Sequence, residues 1–221
     1  MRMREWMGAA LATTLMAVPA AAQADGCELQ ALQAARKAGS YAEYKITGGE
    51  APGALRLTLI GNEKKGTVGM QRIELQLNSP RMGGPVVMQM LVPEWPFESS
   101  EIGEMIMQAP GQPAMRMPAQ MMAMMNRKGG SSPALEIDKS CRNATLVGAE
   151  KVTVAAGSFD TKHYRNAKES ADLWISPAVG GWGLVKLTMP GTSMELTASG
   201  SNGKSALVGT PIDMPGMPGQ K

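Results

Sequence analysis

The sequence predicts an α+β protein that is mostly antiparallel β, in which one curved, open half-barrel sheet carries an N-terminal helix and a methionine-rich helical lid. Three observations predict it. Short segments of alternating apolar and polar residues recur through the chain and are joined by tight Gly/Pro/Asn turns, which implies antiparallel neighbours, because parallel pairs need long crossovers. A run of good helix formers stands near the amino terminus. A single segment departs from the strand pattern and concentrates methionine: eleven of the twenty methionines fall between Met82 and Met125.

Residues 1–24 read as an export signal, with Arg2 and Arg4 as its basic start. Trp6 to Val18 forms an apolar stretch too short to span a bilayer comfortably, and Ala22-Gln23-Ala24 is a small-x-small cleavage site. Cleavage is expected after Ala24, which gives a periplasmic or secreted protein. Lipid attachment at Cys27 is the competing reading, and the acidic Asp25 fits it poorly. No later run is long and apolar enough for a transmembrane helix. Cys27 and Cys141 are the only cysteines, and in an oxidising compartment an even pair reads as a disulfide. A formal charge of +3 over 221 residues carries no nucleic-acid or polybasic membrane signature.

The mature chain reads as one domain over residues 25–208, with a methionine-rich insertion at 93–130 and a flexible Pro/Gly tail at 209–221. Cys27 to Lys37 is rich in helix formers and ends at Gly39, which predicts a short helix. Tyr41 to Thr47 is a strand. Ala54 to Ile60 alternates, with Leu55, Leu57 and Leu59 on one face. Residues 61–66 form a hairpin loop, and the return strand carries Val68, Met70, Ile73, Leu75 and Leu77. Its change of parity predicts a bulge near Gln71-Arg72. Pro85 to Val92 is a further strand with Met88 and Met90 in alternation.

Five prolines then divide the chain between Pro93 and Pro118, which predicts a covering segment kept out of the sheet. A helical turn is expected around Ser100 to Gln108. A helix should open with Pro118 in its first turn and close by Lys128-Gly129, with Met121, Met124 and Met125 on one face and Met122 at its edge. From Ala134 the β pattern resumes. Strands are predicted at Ala134–Asp138, Ala144–Glu150, Lys151–Ala155, Phe159–Arg165, Asp172–Ile175, Gly183–Met189, Ser193–Ser199 and Ser205–Gly209, followed by a frayed end from Thr210.

The second half carries a cadence: Val152-Thr153-Val154-Ala155-Ala156-Gly157-Ser158-Phe159, then Asp172-Leu173-Trp174-Ile175-Ser176, then Trp182-Gly183-Leu184-Val185-Lys186. This resembles exported bacterial proteins of LolA/LolB-like architecture and their uncharacterised relatives, over about a third of the chain. The resemblance implies a half-barrel with helices in its mouth and, from the best-known members, carriage of lipoprotein acyl chains. The arginine that such carriers use in lipid handling has no match here, and the methionine-rich segment is not a feature of the family.

No Gly-x-Ser-x-Gly elbow, phosphate loop or catalytic constellation is present, so no enzyme and no cofactor are expected. His163, the only histidine, reads as a strand residue. Three readings of the methionines stay open. They can be core. They can be a ligand-facing lid, because unbranched, polarizable thioethers re-pack around acyl chains of different shape. They can bind Cu(I) through Met105, Met107, Met115 and Met117, soft sulfur matching soft metal. The site expected to hold an apolar ligand comprises Met105, Met107, Met117, Met121, Met124 and Met125, with no dedicated metal site. A protein partner in the cell envelope is the other alternative.

Overall fold

The computed structural model describes residues 26–27, 37–49, 52–94, 97, 99–118, 121–122, 124 and 133–214. The predicted leader, most of the predicted helix at Cys27–Lys37, Met125 and the chain beyond Met214 lie outside these residues. Cys27 and Lys37 themselves are not helical.

Twelve strands form one open sheet: β1 (Tyr41–Gly48), β2 (Gly53–Lys65), β3 (Val68–Ser79), β4 (Gly84–Pro93), β5 (Glu104–Gln108), β6 (Met115–Arg116), β7 (Thr145–Val154), β8 (Gly157–Asn166), β9 (Ala171–Ile175), β10 (Leu184–Met189), β11 (Thr192–Gly200) and β12 (Ile212–Asp213). Their order is β12-β6-β5-β4-β3-β2-β1-β11-β10-β9-β8-β7. Two meanders, β1 to β6 and β7 to β11, are joined where β1 pairs with β11 in antiparallel register, Tyr44 facing Leu196. Every pairing is antiparallel except β12 with β6. At the β7 end the sheet curls: Ala156, in the β7–β8 turn, donates its N–H to the Leu196 carbonyl of β11 at 3.3 Å. The predicted bulge falls at the expected height, but the extra residue is on the partner strand, between Leu59 and Gly61 opposite Arg72.

The period-2 pattern buries Ala42, Tyr44, Leu55, Leu57, Leu59, Ile73 and Leu75 on one face, where they join Leu173, Leu187, Met194 and Leu196 in one core. Tyr44 buries its ring there and donates its hydroxyl to the Leu184 carbonyl at 3.0 Å. The tight β10–β11 turn is made by Gly191 at φ 72, and it docks so close to Gly48 that a Cβ there would collide with the Gly191 carbonyl.

The chain must pass from the β6 edge to the β7 edge, and it does so with the one longer helix among the described residues, α1 (Pro133–Arg142). This corrects the strand predicted at Ala134–Asp138. Ile137 and Cys141 are both buried and stand at i, i+4, while Lys139 is exposed: a helical period won over the short apolar alternation. Asn166, fully buried at the end of β8, fastens α1. Its Nδ2 donates to the Ser140 carbonyl at 2.9 Å and its Oδ1 accepts from the N–H groups of Lys168 and Glu169. Cys141 is disulfide-bonded to Cys27 with 5.2 Å between Cα atoms, and Gly26 donates to the Ala144 carbonyl. The pairing expected from the sequence is therefore present.

Of two further expectations, one lacks support among the described residues and one is overturned. Described helix is scarce, so the architecture is essentially an open antiparallel sheet, with neither the N-terminal helix nor the helical lid among its supported parts. The proline-broken segment does not stand off the sheet but joins it. Pro110 and Pro113 occupy the loop between β5 and β6, where no ladder hydrogen bond is needed, and the turn closes from Gln112 N–H to the Ala109 carbonyl.

Candidate functional site

The strands β4, β5 and β6 decide where the methionines go. In register, Met88 faces Met107 and Met107 faces Met115; Met90 faces Met105. Met117 continues the second row by donating its N–H to the Met105 carbonyl at 2.9 Å. Six thioethers thus form a lattice of two rows on the core face, with facing Cβ atoms about 4.5–5.5 Å apart and rows about 7 Å apart. Met90, Met105 and Met117 are buried; Met88, Met107 and Met115 are half-buried. The Met90–Met105–Met117 row is core, and the Met88–Met107–Met115 row is its rim.

The chain leaving this lattice makes a tight turn at Pro118. Met121 and Met122 both donate their N–H groups to the Pro118 carbonyl, and both side chains pack partly buried against the core. Met121, Met122 and Met124 are helical, as the Pro118 start predicted. The face differs, however: Met124 is 41% exposed, and Met122 instead packs inward beside Met121. Of the six predicted site residues, then, Met105, Met107, Met117 and Met121 come together, Met124 points to solvent, and Met125 lies outside the described residues. Met88 and Met90 were not among them, although their alternation around Gln89 was readable.

The opposite face of the same strands is polar and also covered. Glu74, Gln89 and Thr58 are buried there. The chain after β11 runs across them as a strap. Glu74 Oε2 accepts from Ser205 Oγ at 2.7 Å and from Gln89 Nε2 at 2.8 Å, and Oε1 accepts from the Ala206 N–H at 2.9 Å. Farther along, Val208 and Gln108 exchange two hydrogen bonds, and the strap ends as β12 beside β6. The predicted strand at Ser205–Gly209 is corrected, and within the end expected to fray from Thr210 the residues Ile212–Asp213 pair with β6, the chain beyond Met214 lying outside the described residues. An alternating chain of charges, Glu63, Arg72, Glu104, Arg116 and Asp213, spans this face to the strap's end. Its hydrogen bond from Arg72 holds the Glu63 carboxyl below the usual carboxylate range.

A pocket beside this region, lined by Leu57, Thr58, Ile73, Glu74 and Trp182 among others, offers a cavity volume of about 20 Å³. That holds one water and no acyl chain.

His163 sits in a separate polar cluster on β7 to β9. Its Nε2 lies 2.7 Å from Asp172 Oδ1, its Nδ1 lies 3.2 Å from Glu150 Oε1, and its ring stacks on Trp174 at 4.5 Å. Trp174 Nε1 donates to the same Glu150 oxygen at 2.6 Å, and Arg165 donates to Asp172 at 2.8 Å. No hydroxyl or thiol nucleophile is bonded to the ring, and what the arrangement does is tie three strands together. Burial works to raise the Asp172 carboxyl, but hydrogen bonds from Arg165 and His163 outweigh it and leave it below its usual range. A carboxyl lowered in the folded state stabilises above its unfolded pKa, and that contribution is lost as pH falls through the folded value. The melting temperature is therefore expected to be insensitive to this group above about pH 5 and to fall below about pH 4. Asp172→Asn should flatten the acid limb in a melting series from pH 7 to 3; an unchanged limb would remove Asp172 from the account.

No protein-family model matches the chain, and no curated protein matches it. Several solved structures align with it, two of them as follows. A candidate lipoprotein from Parabacteroides distasonis does so with a TM-score of 0.36 and 13% identity, over 74% of this chain and 96% of its own. A candidate exported protein with a YmcC-like fold from Bacteroides fragilis does so with a TM-score of 0.36 and 10% identity, over 75% of this chain and 97% of its own. Neither is described as LolA or LolB.

Proposed function

We propose that this chain is an exported, non-enzymatic binding protein that receives an apolar ligand, such as a lipid or acyl chain, at the methionine rim of β4 to β6. The observation that carries the reading is the gradient across the lattice. A buried row (Met90, Met105, Met117) runs directly into a half-exposed row (Met88, Met107, Met115). Unbranched thioethers on such a rim can re-pack around an inserted chain at small cost in rotamer strain. The ligand would seat on this half-exposed rim by re-packing the thioethers. The leader pattern and the Cys27–Cys141 disulfide support a place outside the cytoplasm.

Organic extraction of the purified protein followed by lipid mass spectrometry tests the reading. Co-purifying acyl species are expected, together with a melting-temperature rise of several degrees on adding long-chain fatty acid or phospholipid. No acyl species and no thermal shift would reject it.

A further inference from the structure

The ligand chemistry of the rim goes beyond its greasiness. On β4 to β6 the polar side chains alternate to the opposite face: Gln89, Glu104, Gln108 and Arg116 all belong to the strap side, by parity and by their bonds to Glu74, Arg72, Val208 and Asp213. The methionine side of these three strands therefore presents thioether sulfur and hydrocarbon, without a hard oxygen or nitrogen side-chain donor. Met107 is the centre of the half-exposed row, with Met88 on one neighbouring strand and Met115 on the other. Facing methionines have Cβ atoms about 4.5–5.5 Å apart, and each sulfur is two bonds farther out on a freely rotating stem, so neighbouring sulfurs can close on a single ion. The rim is reachable from solvent, whereas the Met90, Met105, Met117 row is sealed. Packing alone asks for apolar volume at these rim positions and does not require sulfur.

We propose that Met107, with Met88 and Met115, forms a three-thioether binding site for a soft monovalent cation, Cu(I) or Ag(I). Thioethers select such ions because soft, polarizable sulfur matches a soft acceptor, while Zn²⁺, Mg²⁺ and Ca²⁺ prefer thiolate, imidazole or oxygen donors that this face lacks. The ligands are neutral and carry no proton at ordinary pH, so binding is insensitive to pH between 5 and 8 and no proton is released. The set differs from the one expected from sequence: Met105 and Met117 are on the same face, but they belong to the sealed row. The cation site stands independently of the acyl-ligand reading, since either can fail alone.

The test uses the disulfide-intact chain, which has no free cysteine among the described residues, titrated anaerobically with Ag(I), and with Cu(I) against a chromogenic Cu(I) chelator. The expected result is one ion per chain, with the methionine ε-methyl NMR signals of Met88, Met107 and Met115 shifting and those of Met90 and Met105 staying in place. Met107→Leu, which keeps volume, should weaken binding at least tenfold without moving the melting temperature by more than a degree or two. Met70→Leu, buried on the opposite face, should bind as the parent does. Failure of the parent to compete with a weak chelator, or equal binding by Met107→Leu, would overturn the proposal.

Discussion

Replacing both Cys27 and Cys141 with serine is expected to lower the unfolding free energy by about 3–5 kcal/mol, the largest effect of any change considered for this chain. The disulfide spans 114 residues, and for a loop of that length the chain-entropy account places the stabilisation near 4.8 kcal/mol, with measured values commonly between about 2 and 5. The position adds to the effect. Cys141 is buried at the end of α1, the helix that carries the chain from one edge of the sheet to the other, and the Cys27 backbone donates to the Cys141 carbonyl at 3.1 Å. Removing the bond releases the amino-terminal segment and loosens the helix it holds. Urea unfolding of the parent and the double-serine variant measures this directly. With an m-value of about 2 kcal/mol/M, the midpoint should fall by about 1.5–2.5 M. Treating the parent with dithiothreitol should reproduce the shift. A midpoint change below about 0.3 M would show that the sheet does not depend on the staple.

Glu74→Ala is expected to cost about 2–4 kcal/mol and to release the strap. The carboxylate is 2% exposed, and three donors from two parts of the chain end on it. Hydrogen bonds to a charged group contribute about 1.5–3 kcal/mol each at best, and the donors left behind on removal carry their own desolvation cost. Gln89 and Ser205 still have each other at 2.9 Å, which limits the loss; the Ala206 N–H has no such alternative partner. Glu74→Gln should fall between parent and Glu74→Ala, because its amide keeps one acceptor oxygen but turns a donor toward one of the three donors. Hydrogen exchange should show faster exchange at Ala206 and Val208 in both variants, and limited proteolysis should cut within residues 201–211 first. A stability change within 0.5 kcal/mol, with the strap still protected, would mean that the β12 ladder alone holds it.

Much of the sheet was legible because its strands have one buried face. In β2, Leu55, Leu57 and Leu59 alternate with Arg56 and Thr58, and the structure puts the leucines in the core. The errors have a common physical origin in faces that are buried on both sides or covered by something distant. In β5, Met105-Ile106-Met107 is apolar throughout because the strap side buries Ile106 while the core side takes the methionines, so the period-2 signal vanishes. Glu74 and Gln89 looked like solvent-facing strand residues; what buries them is Ser205 and Ala206, more than 100 residues away. The helix α1 was hidden by its shortness, since Ile137 and Cys141 alone mark its period. The methionine site was half legible. The concentration of methionine marked the segment, but Met105 and Met107 read as part of a helical turn, and nothing local could say that they would lie on a strand with Met88 and Met90 as neighbours.

The seam between β1 and β11 has a consequence for how this molecule comes into being. Most of its neighbouring strands are consecutive hairpins, which close small loops at little entropic expense and can form as soon as each turn is made. The seam is different: Thr197 reaches the Glu43 carbonyl across 154 residues of chain. Until β11 exists, β1 has an unpaired edge and the two meanders have nothing to hold them together. In a chain delivered amino end first, β1 is among the earliest strands to emerge and must wait for nearly the whole remainder before its second edge is covered. Together with the strap and the β12–β6 pairing, this seam supplies the long-range contacts that slow the folding of an otherwise local architecture, and it defines the interval in which an exposed strand edge invites aggregation.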